Sequence, residues 1–389
     1  MLNFEFCSPT HFAFGRGTEA KTGVLVKQFG GTKVLIHYGG GSAVKSGLID
    51  RVKDALRVEN IPFTELGGVQ PNPRSDLVYR GIDLCKKENI DFILAVGGGS
   101  VIDSAKAIAA GVYIDGDFWP YWENKTPVPK ALPISVVLTI PAAGSESSYN
   151  TVITNEKTMV KRGTSGQCLR PRFAVLNPEL TFTLPPWQTA SGASDIIAHV
   201  LERYFSNTED VEVTDRLCEA LLLTMIHETP RVIADPTCYE ARANIMWAGA
   251  LAHNNVVGVG REQDWATHAL EHELSALRDV THGAGLAVLF PAWMERALPQ
   301  NPALFAKMGQ RLFGIQNKGD DIEAGKAAIR AWRDFFTSIG MPSTLRELGM
   351  KEEDLSYMAN RLMLNKNGTF GNFVKLTPAD AEEIYRACF

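Results

Sequence analysis

Residues Asp91 to Ala110 read DFILAVGGGSVIDSAKAIAA, and the fold is decided there. FILAV is a short unbroken apolar run, the length of a strand covered on both faces. Gly97-Gly98-Gly99-Ser100 interrupts it, and VIDSAKAIAA then resumes with helical spacing. Amides at such a turn face whatever fills the adjoining crevice, and the helix N-terminus favours an anion there. Glycine has no Cβ to hold a pyrophosphate away from the backbone. The same string also makes a tight turn that binds nothing, and GGGS alone does not separate the two readings.

Outward from this stretch the pattern repeats. Thr32 to Gly39, TKVLIHYG, is a second buried strand; it ends in Gly39-Gly40-Gly41-Ser42 and leads into helical SGLIDRVKDALRVENI. IDLCKKENI is helical, and ISVVLTIP is a third buried strand that runs into AAGSESS. Strands alternating with helices predict a parallel sheet with crossovers, an α/β nucleotide-binding domain of Rossmann-like type. Neither turn is a G-x-G-x-x-G fingerprint. No carboxylate follows VLIHY to hold the ribose diol of NAD; Gly39, Gly40 and Ser42 leave room and donors for a 2′-phosphate, which predicts NADP(H). The alternative is an adenosine that makes fewer contacts at this point. At the start, Leu2, Phe4 and Phe6 alternate with Asn3 and Glu5, and Phe12 and Phe14 resume after Pro9. Period two predicts strands there, a ribbon near a sheet edge.

Beyond Pro178, Pro185 and Pro186 the strand signals almost vanish, and segments such as TDRLCEALLLTMIHETPRVIA and ADAEEIYRACF are helical. The expected division is residues 1–185 as the α/β dinucleotide-binding domain and residues 186–389 as an all-helical metal-binding and catalytic domain. Lys plus Arg number 39 against 44 Asp plus Glu, a net charge of −5, so nothing favours nucleic acid or an anionic membrane as partner. Ala243 to Gly260 is the most apolar long run, but Asn244, His253, Asn254 and Asn255 mark it as a buried helix instead of a membrane span. Six scattered cysteines without a CxxC pair, and a start without a signal-peptide pattern, predict a cytoplasmic protein with reduced thiols.

The helical half carries the side-chain chemistry. Asp195 and His199 in SDIIAHVLERY are spaced i, i+4, on one helix face. HALEHELSALRDVTHGAG holds His268, His272 and His282, three of the eight histidines within fifteen residues. A carboxylate with several imidazoles suits one divalent ion, zinc or ferrous iron, and the spacing does not choose between them. Each feature alone also has a plain reading, a surface hydrogen bond for the first pair and a satisfied core histidine for the others. His272-Glu273-Leu274 does not continue as HExxH, which disfavours a zincin protease.

Together the motifs resemble the iron-containing (group III) alcohol dehydrogenases, most of all their NADPH-dependent butanol dehydrogenase and aldehyde reductase branch. The pieces are YGGGS at 38–42, Asn72-Pro73, GGGSxxDxAK at 97–106, TIPAAGSE at 139–146, Lys161, Asp195-xxx-His199, His268-xxx-His272 and His282-Gly283, in order along nearly the whole chain. The resemblance implies an architecture shared with dehydroquinate synthase and a metal held by Asp195, His199, His268 and His282. His272 is left beside the metal, as a substrate-proximal or proton-relay group or as a packing histidine. The implied cofactor contacts are Gly97, Gly98, Gly99, Ser100 and Asp103 at the pyrophosphate and nicotinamide end. Asn72, Thr139, Ser145 and Lys161 follow along the adenine, phosphate and ribose regions, and Gly39, Gly40 and Ser42 lie at the 2′-phosphate. Related sequences often carry Thr at the position of Ala143, a lost hydroxyl contact of ~1 kcal/mol. The expected reaction is hydride transfer between NADP(H) and small alcohols or aldehydes such as butanal, mainly as reduction, by a homodimer. Trp119, Tyr121 and Trp122 in DGDFWPYWENK are read either as a pocket wall or as packing. The alternatives are an NAD-linked polyol dehydrogenase similar to glycerol dehydrogenase, a lyase similar to dehydroquinate synthase, and a non-catalytic nucleotide-binding sensor. The lyase needs several Lys and Arg near the metal, which the segments around Asp195 and His268 do not offer.

Overall fold

The computed structural model describes all residues from Met1 to Phe389. The chain divides into two compact units, Cys7–Leu184 and Pro185–Phe389, the latter joined by Met1–Phe6.

The first unit contains β1 (His11–Phe14), α1 (Thr22–Gln28), β2 (Val34–Gly39), α2 (Ser42–Lys45), α3 (Leu48–Val58), β3 (Phe63–Val69) and α4 (Ser75–Glu88). It continues through β4 (Phe92–Gly97), α5 (Gly99–Gly111), α6 (Trp119–Glu123), β5 (Ile134–Leu138), β6 (Asn150–Asn155), β7 (Val160–Ser165) and β8 (Phe173–Leu176). Six strands form one sheet in the order β1-β8-β5-β4-β2-β3, every pairing parallel, while β6 and β7 make a separate antiparallel hairpin. The strands alternate between two covered faces. Val34 and Ile36 of β2 join Phe92, Leu94 and Val96 of β4 in a core closed by Ile49, Val52 and Leu56 of α3. On the other face, His37 contacts the Leu66 carbonyl through Nδ1 at 2.8 Å and the Ser104 hydroxyl of α5 through Nε2 at 2.9 Å. Burial pushes that imidazole down to about 4, so it is a neutral tie between sheet and helix. Phe92, Ile93 and Leu94 are wholly buried, worth about 1.5–3 kcal/mol each.

The strand order reverses direction between β2 and β4. Chain progress runs outward from β2 to β3, then returns past β2 to β4 and on to β5. Such a switch point opens a crevice at the carboxyl ends of its two strands. Here those ends are Gly39 and Gly97, the starts of both glycine turns.

The second unit is built from α7 (Pro186–Tyr204), α8 (Glu212–Ala234), α9 (Tyr239–His253), α10 (Ala266–Arg278), α11 (His282–Ala297), α12 (Pro302–Phe313), α13 (Asp321–Ser338), α14 (Glu352–Ala359) and α15 (Pro378–Ala387). Its α7 is buried without interruption from Thr189 to Tyr204, which makes it the central helix of the unit. No helix of the chain is long and apolar enough to cross a membrane.

One expectation changes, and one open reading is decided. Met1–Phe6 is not a strand, and Leu2, Phe4 and Phe6 are exposed. The segment is attached by hydrogen bonds from the Leu2 amide to the Gly260 carbonyl and from the Met1 amino group to the Glu209 carbonyl. An extended backbone gives period two whether or not a neighbouring strand pairs with it, so alternation alone misleads there. The edge strand starts later, at His11, beside β8. The aromatic segment turns out to be packing: Phe118, Trp119 and Trp122 are buried, with Phe118 and Trp122 edge to face at 5.0 Å.

Candidate active site

At the switch point, two of the glycines have no conformational or packing need to be glycine. Neither Gly40 nor Gly41 has a positive φ. A Cβ at Gly40 would meet nothing within 4 Å, and one at Gly41 only the Cε of Lys45 at 3.9 Å. Gly97 is different, since its Cβ would lie 2.5 Å from Val101 Cγ2. Gly98 precedes α5 with no side chain capping the helix, so the first-turn amides of Gly99 and Ser100 face the crevice side of the turn. Thr139 stands next to this turn, its amide donating to the Gly97 carbonyl at 3.1 Å. Ala143 is also adjacent, 3.6 Å from where a Cβ on Gly99 would be. The structure thus brings Gly39, Gly40, Ser42, Gly97, Gly98, Gly99, Ser100 and Thr139 to neighbouring strand ends.

The remaining residues singled out in this unit meet in pairs. Lys161 Nζ donates to Asn72 Oδ1 at 2.9 Å, and both side chains are buried. The Ser145 hydroxyl donates to Asp103 Oδ1 at 2.6 Å, and Asp103 Oδ2 accepts the Val152 amide at 2.9 Å. Their organiser is Lys106, the last residue of GGGSxxDxAK, to which the sequence reading gave no role. It is fully buried, and its ammonium donates to the carbonyls of Ser145, Ser148 and Asn150 at 2.7, 3.0 and 2.9 Å, and also to the Ser145 hydroxyl at 2.9 Å. Desolvation draws its pKa down to about 8, with Asp103 and Glu146 opposing that fall. A lysine in the run AKAIAA was the available signal, because a charge on an otherwise apolar helix needs several acceptors.

In the helical unit, α7 places Asp195, His199 and Glu202 at i, i+4 and i+7, one stripe of a helix that is buried all round from Thr189 onward. His268 lies in the first turn of α10, and His282 is the first residue of α11. Two glycines admit this convergence. A Cβ on Gly283 would lie 1.9 Å from the Ser191 carbonyl oxygen of α7, and one on Gly285 would lie 2.9 Å from Glu271 Cγ of α10. His282-Gly283-Ala284-Gly285 is thus a helix start shaved on two sides.

Asp195 Oδ1 lies 3.4 Å from His199 Nε2 and 3.9 Å from Nε2 of both His268 and His282. Single ligand atoms of Asp195, His268 and His282 all fall within 4.8 Å of one another, as required for a shared ion. His199, expected as the fourth ligand, falls outside that group, although its ring lies 4.5 Å from that of His268. A second trio, Glu271, His272 and His282, also meets the distance requirement, but there Glu271 already accepts His282 Nδ1 and the Ser275 hydroxyl. The fit to a cation shows in the polar accounting. Both ring nitrogens of His199 and Nε2 of His268 are buried without a hydrogen-bond partner. Burial, followed by the neighbouring His253, His268, Arg203 and His282, holds the His199 pKa well below its usual value, so the ring is neutral and offers a lone pair. Unpaired nitrogens beside a carboxylate are costly in a dry core and become favourable around a divalent ion. The cluster opens on one side only: Asp195, His199 and His268 are buried, whereas His282 and His272 are half-buried. His272 lies next to His282, with ring centroids 5.7 Å apart.

Around this cluster sit groups that the sequence reading missed. The His253 ring lies against His199 at 4.2 Å and its Nδ1 is 3.0 Å from the Arg203 guanidinium. Trp265 packs on His268 at 5.2 Å and beneath Arg203 at 4.6 Å, in a left-handed conformation with φ 69°. That conformation costs a bulky residue about 1–3 kcal/mol. Glu202 and Glu271 were legible in principle, at i+3 from His199 and from His268.

A parallel sheet with glycine turns at its switch point, accompanied by a carboxylate–imidazole cluster on buried helices, fits a class of nucleotide- and metal-binding enzymes that includes both dehydrogenases and lyases. Comparison narrows it. The family described as iron-containing alcohol dehydrogenase matches residues 9–178, and the C-terminal part of the Fe-containing alcohol dehydrogenase family matches residues 189–389. The NADH-dependent butanol dehydrogenase A of Clostridium acetobutylicum is 43% identical over 390 residues, covering 100% of both chains. The NADPH-dependent aldehyde reductase YqhD of Escherichia coli is 36% identical, again over 100% of both. Among solved structures, the NADH-dependent butanol dehydrogenase A of Thermotoga maritima superposes with a TM-score of 0.96 at 42% identity, over 100% of this chain and 99% of the other. The chain belongs to the iron-containing alcohol dehydrogenase family, and it is an oxidoreductase of alcohols and aldehydes. Membership implies a nicotinamide cofactor and a divalent metal.

Proposed function

We propose that this chain reduces small, largely apolar aldehydes with NADP(H), using one divalent ion, iron or zinc, held by Asp195, His199, His268 and His282. The observation that carries the reading is the group of unpartnered ring nitrogens of His199 and His268 gathered around Asp195. When bound, the ion supplies a Lewis-acid contact for the carbonyl oxygen and the nicotinamide supplies the hydride. His199 and His268 offer ring nitrogens to the ion, and their burial keeps water from competing for the site. His272, on the open side, delivers a proton from its imidazole to the substrate oxygen. Gly97, Gly98, Gly99 and Ser100 receive the pyrophosphate, with Thr139 beside them. Lys106 sets the loop through Ser145 and Asp103, and Asn72 with Lys161 completes the cofactor surface. Gly39, Gly40 and Ser42 take the 2′-phosphate, because no carboxylate ends β2 and a Cβ at Gly40 would stand in open space. A cytoplasmic homodimer is the assembly we infer, in keeping with six free cysteines.

NADH is the second reading, favoured by the names of the relatives at 41–43% identity, all called NADH-dependent butanol dehydrogenases. One experiment separates them. Butanal reduction is followed with NADPH and with NADH, before and after chelator treatment, and with zinc or ferrous iron restored. Faster NADPH turnover that vanishes with chelator and returns with one ion supports the whole reading. Faster NADH turnover replaces the cofactor assignment alone, and activity indifferent to chelation overturns the metal assignment.

A further inference from the structure

The three histidines assigned to the metal are not held alike. Glu202, fully buried in α7, accepts three hydrogen bonds from the start of α10: the Trp265 amide at 2.7 Å, the His268 amide at 2.9 Å and His268 Nδ1 at 2.8 Å. Glu271, fully buried in α10, accepts His282 Nδ1 at the start of α11, and its other oxygen takes the Ser275 hydroxyl. The arrangement repeats: a carboxylate on one helix grips an imidazole in the first turn of another. A carboxylate can only accept, so in both rings Nδ1 carries a proton, and Nε2 is the atom left to face an ion. Both Nε2 atoms are the ones that lie 3.9 Å from Asp195 Oδ1. His199 has no such partner, and its ring is held by contact with His253 and Trp265.

We propose that Glu202 and Glu271 are positioning residues which fix the tautomer and aim of His268 and His282, and thereby set the affinity of the site for its ion. The proposal rests on the metal reading above. Glu202 has a second task in the same geometry. By accepting both the Trp265 and the His268 amides, it holds the left-handed Trp265 that turns the chain into α10. Replacing Glu202 with Gln keeps the shape but puts an NH2 group where one of three donors now points, so a donor faces a donor. Glu271→Gln can keep its amide oxygen on His282 Nδ1 by turning its NH2 group to Ser275, whose hydroxyl also accepts and can donate to the Val280 carbonyl, so there it is the carboxylate's charge that is lost.

The test uses the full-length chain, freed of metal by chelator and titrated with Co²⁺ against a chromophoric competitor, with the visible cobalt spectrum recorded. Glu202→Gln and Glu271→Gln are each expected to bind cobalt about 10- to 100-fold more weakly, with shifted absorption bands. Ser275→Ala, which removes a neighbour of Glu271 without touching a histidine, is expected to stay within about threefold of the unaltered chain. Melting of each metal-free variant is measured in parallel. Variants that melt lower yet bind cobalt with unchanged affinity and spectrum would show a merely structural role and overturn the proposal. If Glu202→Gln does not fold, Glu271→Gln decides, since it leaves Trp265 untouched. An unaltered chain that takes up no cobalt refutes the metal reading itself. An unaltered chain that binds it, alongside variants that bind it equally well, refutes only the positioning.

Discussion

Around Gly40 and Gly41 the chain leaves atoms out, whereas around Asp195 and His199 it places polar atoms where water does not reach. In the first region the groups proposed to bind are backbone amides at strand ends, and side chains such as Lys106 act from behind by shaping a loop. In the second they are side chains from three helices, brought together because Gly283 and Gly285 have none. Space in the first region tolerates a range of contacts. Convergence in the second is over-determined, because each imidazole depends on a neighbour from another helix. The two regions should therefore fail differently when altered.

The largest effect is expected at His268. His268→Ala removes a nitrogen donor and leaves Glu202 facing a void, so metal content and aldehyde turnover should fall by about 10³-fold or more. NADPH binding, read by quenching of protein fluorescence, should change by less than about twofold. A parallel loss of cofactor affinity would break the comparison, because it would tie the two regions to one another.

Next comes Gly283→Ala. Its methyl would stand 1.9 Å from the Ser191 carbonyl oxygen, and a backbone atom cannot swing aside as a flexible side-chain end can. A loss of about 3 kcal/mol in urea unfolding is expected, the upper part of the overpacking range. The contrasting variant is Gly40→Ala, which has open space around it and should cost under about 1 kcal/mol. Equal costs at the two glycines would mean that the helical convergence is less tight than its geometry.

A third test concerns the one buried carboxylate of the first region that lacks the support Glu202 enjoys. Glu146 is buried, and its Oε1 has no hydrogen-bond partner. Burial pushes its pKa up from 4.5 to about 7, against the opposing pull of its own amide and of Lys106. Below pH 4.5 both folded and unfolded chains hold this proton. Between 4.5 and 7 the unfolded chain releases it first, so stability falls as pH rises and the loss is complete above about 7. Glu146→Gln should shrink the stability lost between pH 5 and 7.5 by about 2 kcal/mol, measured by denaturant unfolding. Asp264, also raised to about 7 by burial and by Glu202, titrates in the same window and stays in the variant, so part of the slope remains. An unchanged slope would mean that Glu146 is satisfied in solution.

The two regions also differed in how far the sequence disclosed them. The parallel sheet was legible because FILAV, VLIHY and ISVVL are contiguous, and each glycine turn sits beside its strand. Asp195 and His199 were legible because a helix repeats every 3.6 residues. What escaped notice were partnerships across elements. Lys106 needs a loop 39 to 44 residues away, and Asn72 meets Lys161 only because the β6–β7 hairpin folds back. Glu202 was in plain view at i+7 from Asp195, but its partners lie 63 and 66 residues on. Met1–Phe6 shows the reverse error, where local alternation was present and the neighbouring strand was not.

The smallest expected effect lies at Ala143, where related sequences often carry Thr. Its methyl faces the uncapped start of α5, 3.6 Å from where a Cβ on Gly99 would be. Ala143→Thr would add a hydroxyl at the edge of the turn assigned to the pyrophosphate, within reach of an anion. One new hydrogen bond is worth about 1 kcal/mol, so the cofactor KM should fall about fivefold while kcat stays within about twofold. A fall in KM for NADPH and NADH alike would place the gain at the shared pyrophosphate; a fall for NADPH alone would place it at the 2′-phosphate. Because this region works by open space, a single added group should be accommodated without repacking, and the melting temperature should not move. A lower melting temperature without any gain in affinity would mean that the space around Ala143 is already filled by the fold, and the contrast between an open region and a packed one would fail at its most accessible point.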